Sequence, residues 1–199
     1  MDLTTALRDR RQASLLKAAL KGDANSIKSL YGELFDHVYK YIFMKIHNRH
    51  DVEDLVSEVF YRFLKVLDTY DSKKGSVMAW IITMSRNAVI DFQRSSGRTI
   101  PLADYKELDR GHNPDTLSRI VESEQIAQVE ALLSALPPTI NDLFHLRIGM
   151  NLRWSEIARI LNTDELVLRK QFSRTVKAIK DKYHRHLKNT VKEGRRATT

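Results

Sequence analysis

The stretch WSEIARILNTDELVLRKQFSR, Trp154 to Arg174, decides the fold. Trp154, Ile157, Ala158 and Leu161 recur at i, i+3, i+4 and i+7, which is one face of a short helix. The pattern breaks at Asn162-Thr163-Asp164. Asn162 tolerates the left-handed backbone that ends helices, and Asp164 can cap the next helix. With Leu168 set at zero and about 100° per residue, Phe172, Thr175, Val176, Ile179 and Tyr183 fall on its side of the second helix. Arg169, Lys170, Ser173, Arg174, Lys177 and Lys180 fall opposite. One side packs and the other is basic, which is the pattern of a helix-turn-helix whose second helix enters the major groove. The plainer alternative is an αα-hairpin with a solvated basic face.

Arg and Lys can bond guanine O6 and N7, Gln171 can pair with adenine, and lysines further along suit phosphates. Two positions depart from the pattern. Arg153 stands where Ser or Thr would cap the first helix better, and Leu166 lies on the exposed side of the second.

Working outward, the rest of the 199 residues also reads as helical, because Gly and Pro are scarce and apolar positions keep a period near 3.6. Helices are expected over about 11–21, ended by Gly22-Asp23, and over 25–47, with Leu30, Leu34, Val38, Tyr41, Ile42 and Ile46 on one side. A third is expected over 52–67, with Asp51 as N-cap and Val52, Leu55, Val56, Val59, Phe60, Phe63, Leu64 and Leu67 as its buried stripe. A polar loop covers Asp68 to Gly75, and Ser76 can cap a helix to about Arg94. Residues 95–115 lose the pattern and read as a linker. Helices resume near Thr116, stop at Pro137-Pro138 and restart with Pro138 in the first turn.

Composition bounds the function. Apolar residues make up 42% and charged residues 29%, enough for a core in a soluble chain. No run of about 18 apolar residues exists, so no membrane insertion is expected. The opening MDLTTALRDRRQ lacks a signal peptide's apolar middle, and a cytoplasmic location is expected. Without cysteine, thiolate metal sites and disulfides are excluded. The net charge of +8 is localised: residues 166–199 carry eleven Lys and Arg against two acids, which favours a polyanionic partner. No catalytic constellation, metal site or cofactor site is evident. His47 and His50 lie three apart without further ligands, and His184 and His186 do not share a helix face. An enzyme is therefore disfavoured, and a stand-alone dimeric repressor lacks a dimerisation seam.

Four collinear segments carry a family resemblance: DVEDLVSEVFYRFLKVLDTYD (51–71), GSVMAWIITMSRNAVIDFQR (75–94), LSALPPTINDLFHLR and the opening stretch. In order and spacing, from about Leu15 to Leu187, the chain resembles an extracytoplasmic-function (ECF) sigma factor of bacterial RNA polymerase. The resemblance implies an all-α fold of two small domains: region 2 over 11–95 and region 4 over 116–188. A flexible linker over 96–115 joins them, and a basic tail covers 189–199.

It implies that Glu53, Asp54, Ser57, Glu58, Arg62 and Lys65 meet the β′ clamp of core polymerase, and that region 4 meets the β flap. It implies that Lys73, Lys74, Trp80, Arg86, Asn87 and Arg94 meet the melted −10 element. Packing with Val77, Ile81 and Met84 is the plainer role of Trp80. The −35 element would be read by Asp164, Glu165, Arg169, Lys170, Gln171, Ser173, Arg174 and Lys177. An anti-sigma factor is implied as a further partner, with the chain monomeric when free. Val77-Met78 replaces a common aromatic-basic pair, Thr83 replaces a common aromatic, and the basic run after Asp91 thins to Arg94 and Arg98. Weaker −10 contacts are the expected consequence.

Overall fold

The computed structural model describes residues 3–46, 48–96 and 136–196, with the side chains of 96, 138 and 182–196 outside the description. The expected linker, the helix from Thr116, and the side chains of His47, Tyr183, His184 and His186 lie outside the described residues. Among the described residues all regular structure is helical: α1 (Leu3–Ala19), α2 (Ala24–Ile46), α3 (Arg49–Lys65), α4 (Val77–Ser96), α5 (Pro138–Phe144), α6 (Trp154–Leu161) and α7 (Glu165–Arg196). A 3-10 turn covers Leu67–Thr69, and a π-helical turn, His145–Gly149, comes after α5.

The chain forms two compact units. The first holds Met1–Leu102 together with Leu146–Asn162; the second holds Ala103–His145 and Thr163–Thr199. Residues 146–162, which the sequence reading places with the C-terminal module, thus group with the N-terminal helices.

In the first unit α1, α2, α3 and α4 pack on one another, and α6 packs on α4. The six apolar residues expected on one side of α2 are all buried. Val52, Leu55, Val56, Val59, Phe60 and Phe63 of α3 and Val77, Met78, Ile81 and Ile82 of α4 are buried as well, and α2 packs on both helices. Phe63 anchors an aromatic cluster, with its ring 6.4 Å from Phe60 and 5.2 Å from Trp80. Leu64 does not belong to this stripe. It is 47% exposed, because it falls only about 20° from exposed Glu53 on the helical wheel.

Local signals explain the helix ends. Gly22, at φ 88°, lets the chain leave α1 where a side chain would be strained. Asp23 then accepts from the Asn25 N–H and the Ser26 hydroxyl. The Ser26 bond is the largest of the effects that hold its carboxyl below the usual range. Helix α3 starts earlier than expected: Asn48, not Asp51, is the N-cap, and its side chain accepts from the Asp51 N–H at 3.1 Å. Either residue type can cap. Placing the cap at Asn48 leaves Asp51 in the first helical turn, where an acid suits the helix dipole. Ser76 caps α4 as expected, its hydroxyl accepting from the Ala79 N–H at 3.2 Å. Pro137 is the N-cap of α5 and Pro138 lies in its first turn.

The second unit packs α5 on α7. Leu143, Phe144 and Leu168 are buried, and the Phe144 and Phe172 rings stack at 4.6 Å. Asp164 Oδ1 accepts from the N–H groups of Leu166 and Val167 at 2.8 and 3.2 Å. Asp164→Ala is expected to destabilise the start of α7 by about 1 kcal/mol. Thermal unfolding should register this, with Asp164→Asn restoring most of the loss. Helix α7 continues to Arg196, so most of the expected basic tail extends the helix.

Candidate nucleic-acid interface

Each half of the Trp154–Arg174 stretch forms the helix its periodicity predicts. Helix α6 ends at Asn162, whose backbone is left-handed at φ 50° and ψ 49° and whose N–H bonds the carbonyls of Ala158 and Arg159. Arg153 is the N-cap of α6 and contributes no side-chain cap. Instead Glu156 Oε2 accepts from the Arg153 N–H at 2.9 Å. A carboxylate three residues into the helix thus satisfies the cap's own donor. Trp154 and Leu161, expected on the packed face, are only half-buried, whereas Ile157, Ile160 and Glu156 are buried. The Arg147 guanidinium lies 5.0 Å from the Trp154 ring centroid.

On α7, Arg169, Lys170, Gln171, Ser173, Arg174, Lys177 and Lys180 are all exposed, while Leu168 is buried and Phe172, Thr175, Val176 and Ile179 are half-buried. The two-sided helix holds in the fold, with Leu166 67% exposed. Asp164 is exposed and engaged as a cap. Glu165 pairs with Arg169 at 2.6 Å, a surface pair one helical turn apart. Gln171 stands about 60° from Leu168 on the wheel, at the edge of the basic face rather than its centre.

In the first unit the residues of α3 expected to face polymerase form one surface. Glu53, Asp54, Ser57, Arg62 and Lys65 are exposed and Glu58 is half-buried. Arg62 pairs with Glu58, and Arg49 with Glu53 at 2.8 Å. Sequence reasoning missed that Tyr61, 60% exposed, stands with Leu64 within this charged face, and that Lys65 Nζ lies 4.6 Å from the Tyr61 ring centroid. Placing Tyr61 at about 80° from Glu53 on the wheel would have found it.

The third group is split by helix geometry. Trp80, Thr83, Asn87 and Arg94 share one face of α4, whereas Arg86 points about 120° away from Trp80. Lys73 and Lys74 are exposed on the preceding loop. Trp80 is both a packing residue and a surface one. Its ring touches Phe63 and lies 5.4 Å from Tyr70, yet it also lines a cleft of about 460 Å³ with Tyr70, Lys74 and Thr83. The Tyr70 hydroxyl donates to the Gly75 carbonyl at 2.9 Å. Burial first, and the carboxylates of Asp9 and Glu156 second, raise its pKa, so the phenol stays a neutral donor. Among the described residues, no group of three His, Asp or Glu side chains is placed to hold a metal ion, and no helix is long and apolar enough to cross a membrane.

Comparison with known proteins matches this arrangement. Residues 27–99, which run from α2 through α4, match the family model of sigma-70 region 2. The chain is 28% identical over 174 residues to the ECF RNA polymerase sigma factor BldN of Streptomyces coelicolor; the match covers 85% of this chain and 64% of the relative. It is 24% identical over 161 residues to SigM of Bacillus subtilis, covering 80% of this chain and 96% of that one. Among solved structures, CnrH in complex with the cytosolic domain of CnrY aligns with a TM-score of 0.58 at 15% identity, over 87% of this chain and 97% of that one. That last likeness is one of fold. The region 2 match falls on the helices whose exposed faces carry the charged surface and the Trp80 cleft, and the named relatives extend the match across most of the chain. Residues 27–99 thus match sigma-70 region 2, and over most of its length the chain is similar to extracytoplasmic-function sigma factors of bacterial RNA polymerase.

Proposed function

We propose that this chain binds core RNA polymerase and directs promoter-specific initiation of transcription, doing no covalent chemistry itself. The match of α2–α4 to region 2 is the observation that carries the reading. In it, residues 11–95 act as region 2 and 116–188 as region 4. The α3 face of Glu53, Asp54, Ser57, Glu58, Arg62 and Lys65 docks on the β′ clamp, with Tyr61 and Leu64 supplying apolar contact. Aromatic anchors inside a charged rim are what such interfaces use.

The loop with Lys73 and Lys74, and the α4 face with Trp80, Asn87 and Arg94, receive the −10 element once it is single-stranded. Lysines neutralise phosphate, and an aromatic-lined cleft suits an unstacked base. Arg86, on another side of α4, serves the phosphate backbone of the same element. Helix α7 reads the −35 element in the major groove with Arg169, Lys170, Gln171, Ser173 and Arg174, flanked by Asp164 and Glu165, while Lys177 holds phosphate. Region 4 also meets the β flap. An anti-sigma factor is the expected inhibitor in the cytoplasm.

Purified chain added to core polymerase should produce discrete run-off transcripts from a genomic fragment library. Glu58→Ala and Arg62→Ala should lower those yields in parallel with affinity for a β′ clamp fragment. A library without factor-dependent starts would reject the reading. Normal clamp affinity in both variants would remove the α3 assignment alone.

A further inference from the structure

Helix α7 is far longer than reading a groove requires. It runs 32 residues, Glu165–Arg196, or about 48 Å at a rise of about 1.5 Å per residue. A major groove is about 12 Å wide, and the residues assigned to bases and phosphates end at Lys177. The packing that holds the helix also sits near its start. Leu168 is buried, and Phe172 stacks on Phe144. Residues 178–196 continue for about 28 Å beyond these tasks.

That stretch carries most of the chain's excess charge. Between Ala178 and Arg196 seven Lys and Arg stand against two acids, a net of +5 in a chain of net +8. The excess keeps register with the reading face. At about 100° per residue, the positions of Lys180, Lys188, Lys192 and Arg195 fall within about 60° of Lys177. Lys177 and Lys180 are exposed. The spacing also works against an isolated helix. Lys188, Lys192 and Arg196 follow one another at i, i+4 and i+8, where like charges repel, and Gly194 disfavours the helix further. A segment so composed gains from a polyanion that neutralises it. Duplex DNA, with one negative charge per about 1.7 Å of axis, is the polyanion the first half of the same helix is built to meet.

We propose that residues 178–196 are a capture arm for duplex DNA. The arm holds phosphates of any sequence, while the first half of α7 does the reading. The proposal rests on the assignment of α7 to the −35 element. It divides one helix into two functions. Lys and Arg on phosphate contribute affinity without sequence information, and a cluster of one sign raises the rate of encounter with DNA at low salt.

The test uses holoenzyme reconstituted from core polymerase and the full chain, with a promoter fragment and a scrambled duplex of equal length. In Lys188→Gln/Lys192→Gln/Arg195→Gln, glutamine keeps a helix propensity close to that of Lys and Arg. Affinity for the scrambled duplex should fall about tenfold at about 50 mM salt, and the slope of log K against log salt should become shallower by about 2–3, the contribution of up to three phosphates. Preference for the chain's own −35 element over a substituted one should stay within about twofold, because phosphate contacts carry no sequence information. A chain ending at Lys180, which lacks the segment outright, should change both quantities in the same direction and further.

Unchanged affinity and slope in both variants overturn the proposal. A fall in −35 preference overturns it as well, by making the segment a reading surface. Weaker binding of core polymerase with unchanged DNA affinity overturns it by placing the segment on a protein. Arg169→Ala, measured alongside, separates the two assignments. If Arg169→Ala lowers −35 preference while the arm variants leave DNA binding intact, only the arm falls. If the arm variants act as expected while Arg169→Ala leaves the preference intact, capture is supported and the reading falls.

Discussion

Replacing Phe63 with alanine is expected to destabilise the first unit by about 3–5 kcal/mol, the range for removing a buried aromatic ring from a packed core. The ring is 2% exposed and touches Phe60 and Trp80. The loss therefore combines the transfer free energy of the ring, the cavity it leaves, and the contacts with two aromatic neighbours. The neighbours cannot close the gap freely. Trp80 is held on its other side by Tyr70, and Val59 and Val77 are already fully buried. Urea unfolding followed by circular dichroism should show a large drop in midpoint. Tyr61→Ala, two positions away but 60% exposed, should change stability by no more than about 0.5 kcal/mol. Equal effects of the two substitutions would mean that the α3 face is misassigned.

That contrast marks what periodicity can and cannot reveal. The α2 stripe is legible residue by residue, because a helix in one core repeats the same demand every turn. Leu64 is misread because hydrophobicity alone assigns it inward, whereas its angle turns it out among charged neighbours. The α3 cap is misread for a different reason: Asn48 and Asp51 are both competent, and the choice depends on where the preceding chain arrives. The turn at Asn162 and the cap at Asp164 are legible because the signals there are local. The ties from Thr5, Arg8, Asp9 and Ser76 to the 150–156 segment are not. They join residues about 80 to 146 apart in sequence, and no local pattern encodes a carboxylate finding a distant backbone N–H. Glu156 illustrates the limit. Its position three residues into a helix reads as half of a capping box, while its second oxygen serves a contact that only the tertiary structure supplies.

Arg169→Ala and Lys177→Ala should separate the reading of sequence from the holding of the phosphate backbone, although both are exposed cations on the same helix. Arg169 lies one turn into α7, where the first residues of a recognition helix reach base edges. Its guanidinium is already engaged by Glu165, and that exposed pair, worth about 0.3–0.5 kcal/mol, is weak enough to be exchanged for a base. A bidentate contact to guanine contributes about 1–3 kcal/mol of discrimination, so Arg169→Ala should reduce the preference of the holoenzyme for its own −35 element over a substituted one by about 5- to 150-fold. Lys170→Ala should act in the same direction. Lys177 lies two further turns along, where the helix can reach phosphate but not base edges. Its loss should weaken cognate and scrambled sites alike and reduce the slope of log K against log salt by about 0.9, the contribution of one phosphate. Competition binding of reconstituted holoenzyme to promoter variants, repeated across a salt series, measures both quantities. Uniform losses for all three variants would reduce α7 to a solvated basic helix that attracts DNA without reading it. A loss of discrimination confined to Arg169 and Lys170 would locate the reading edge on the first two turns, where the Asp164 cap fixes the start of the helix.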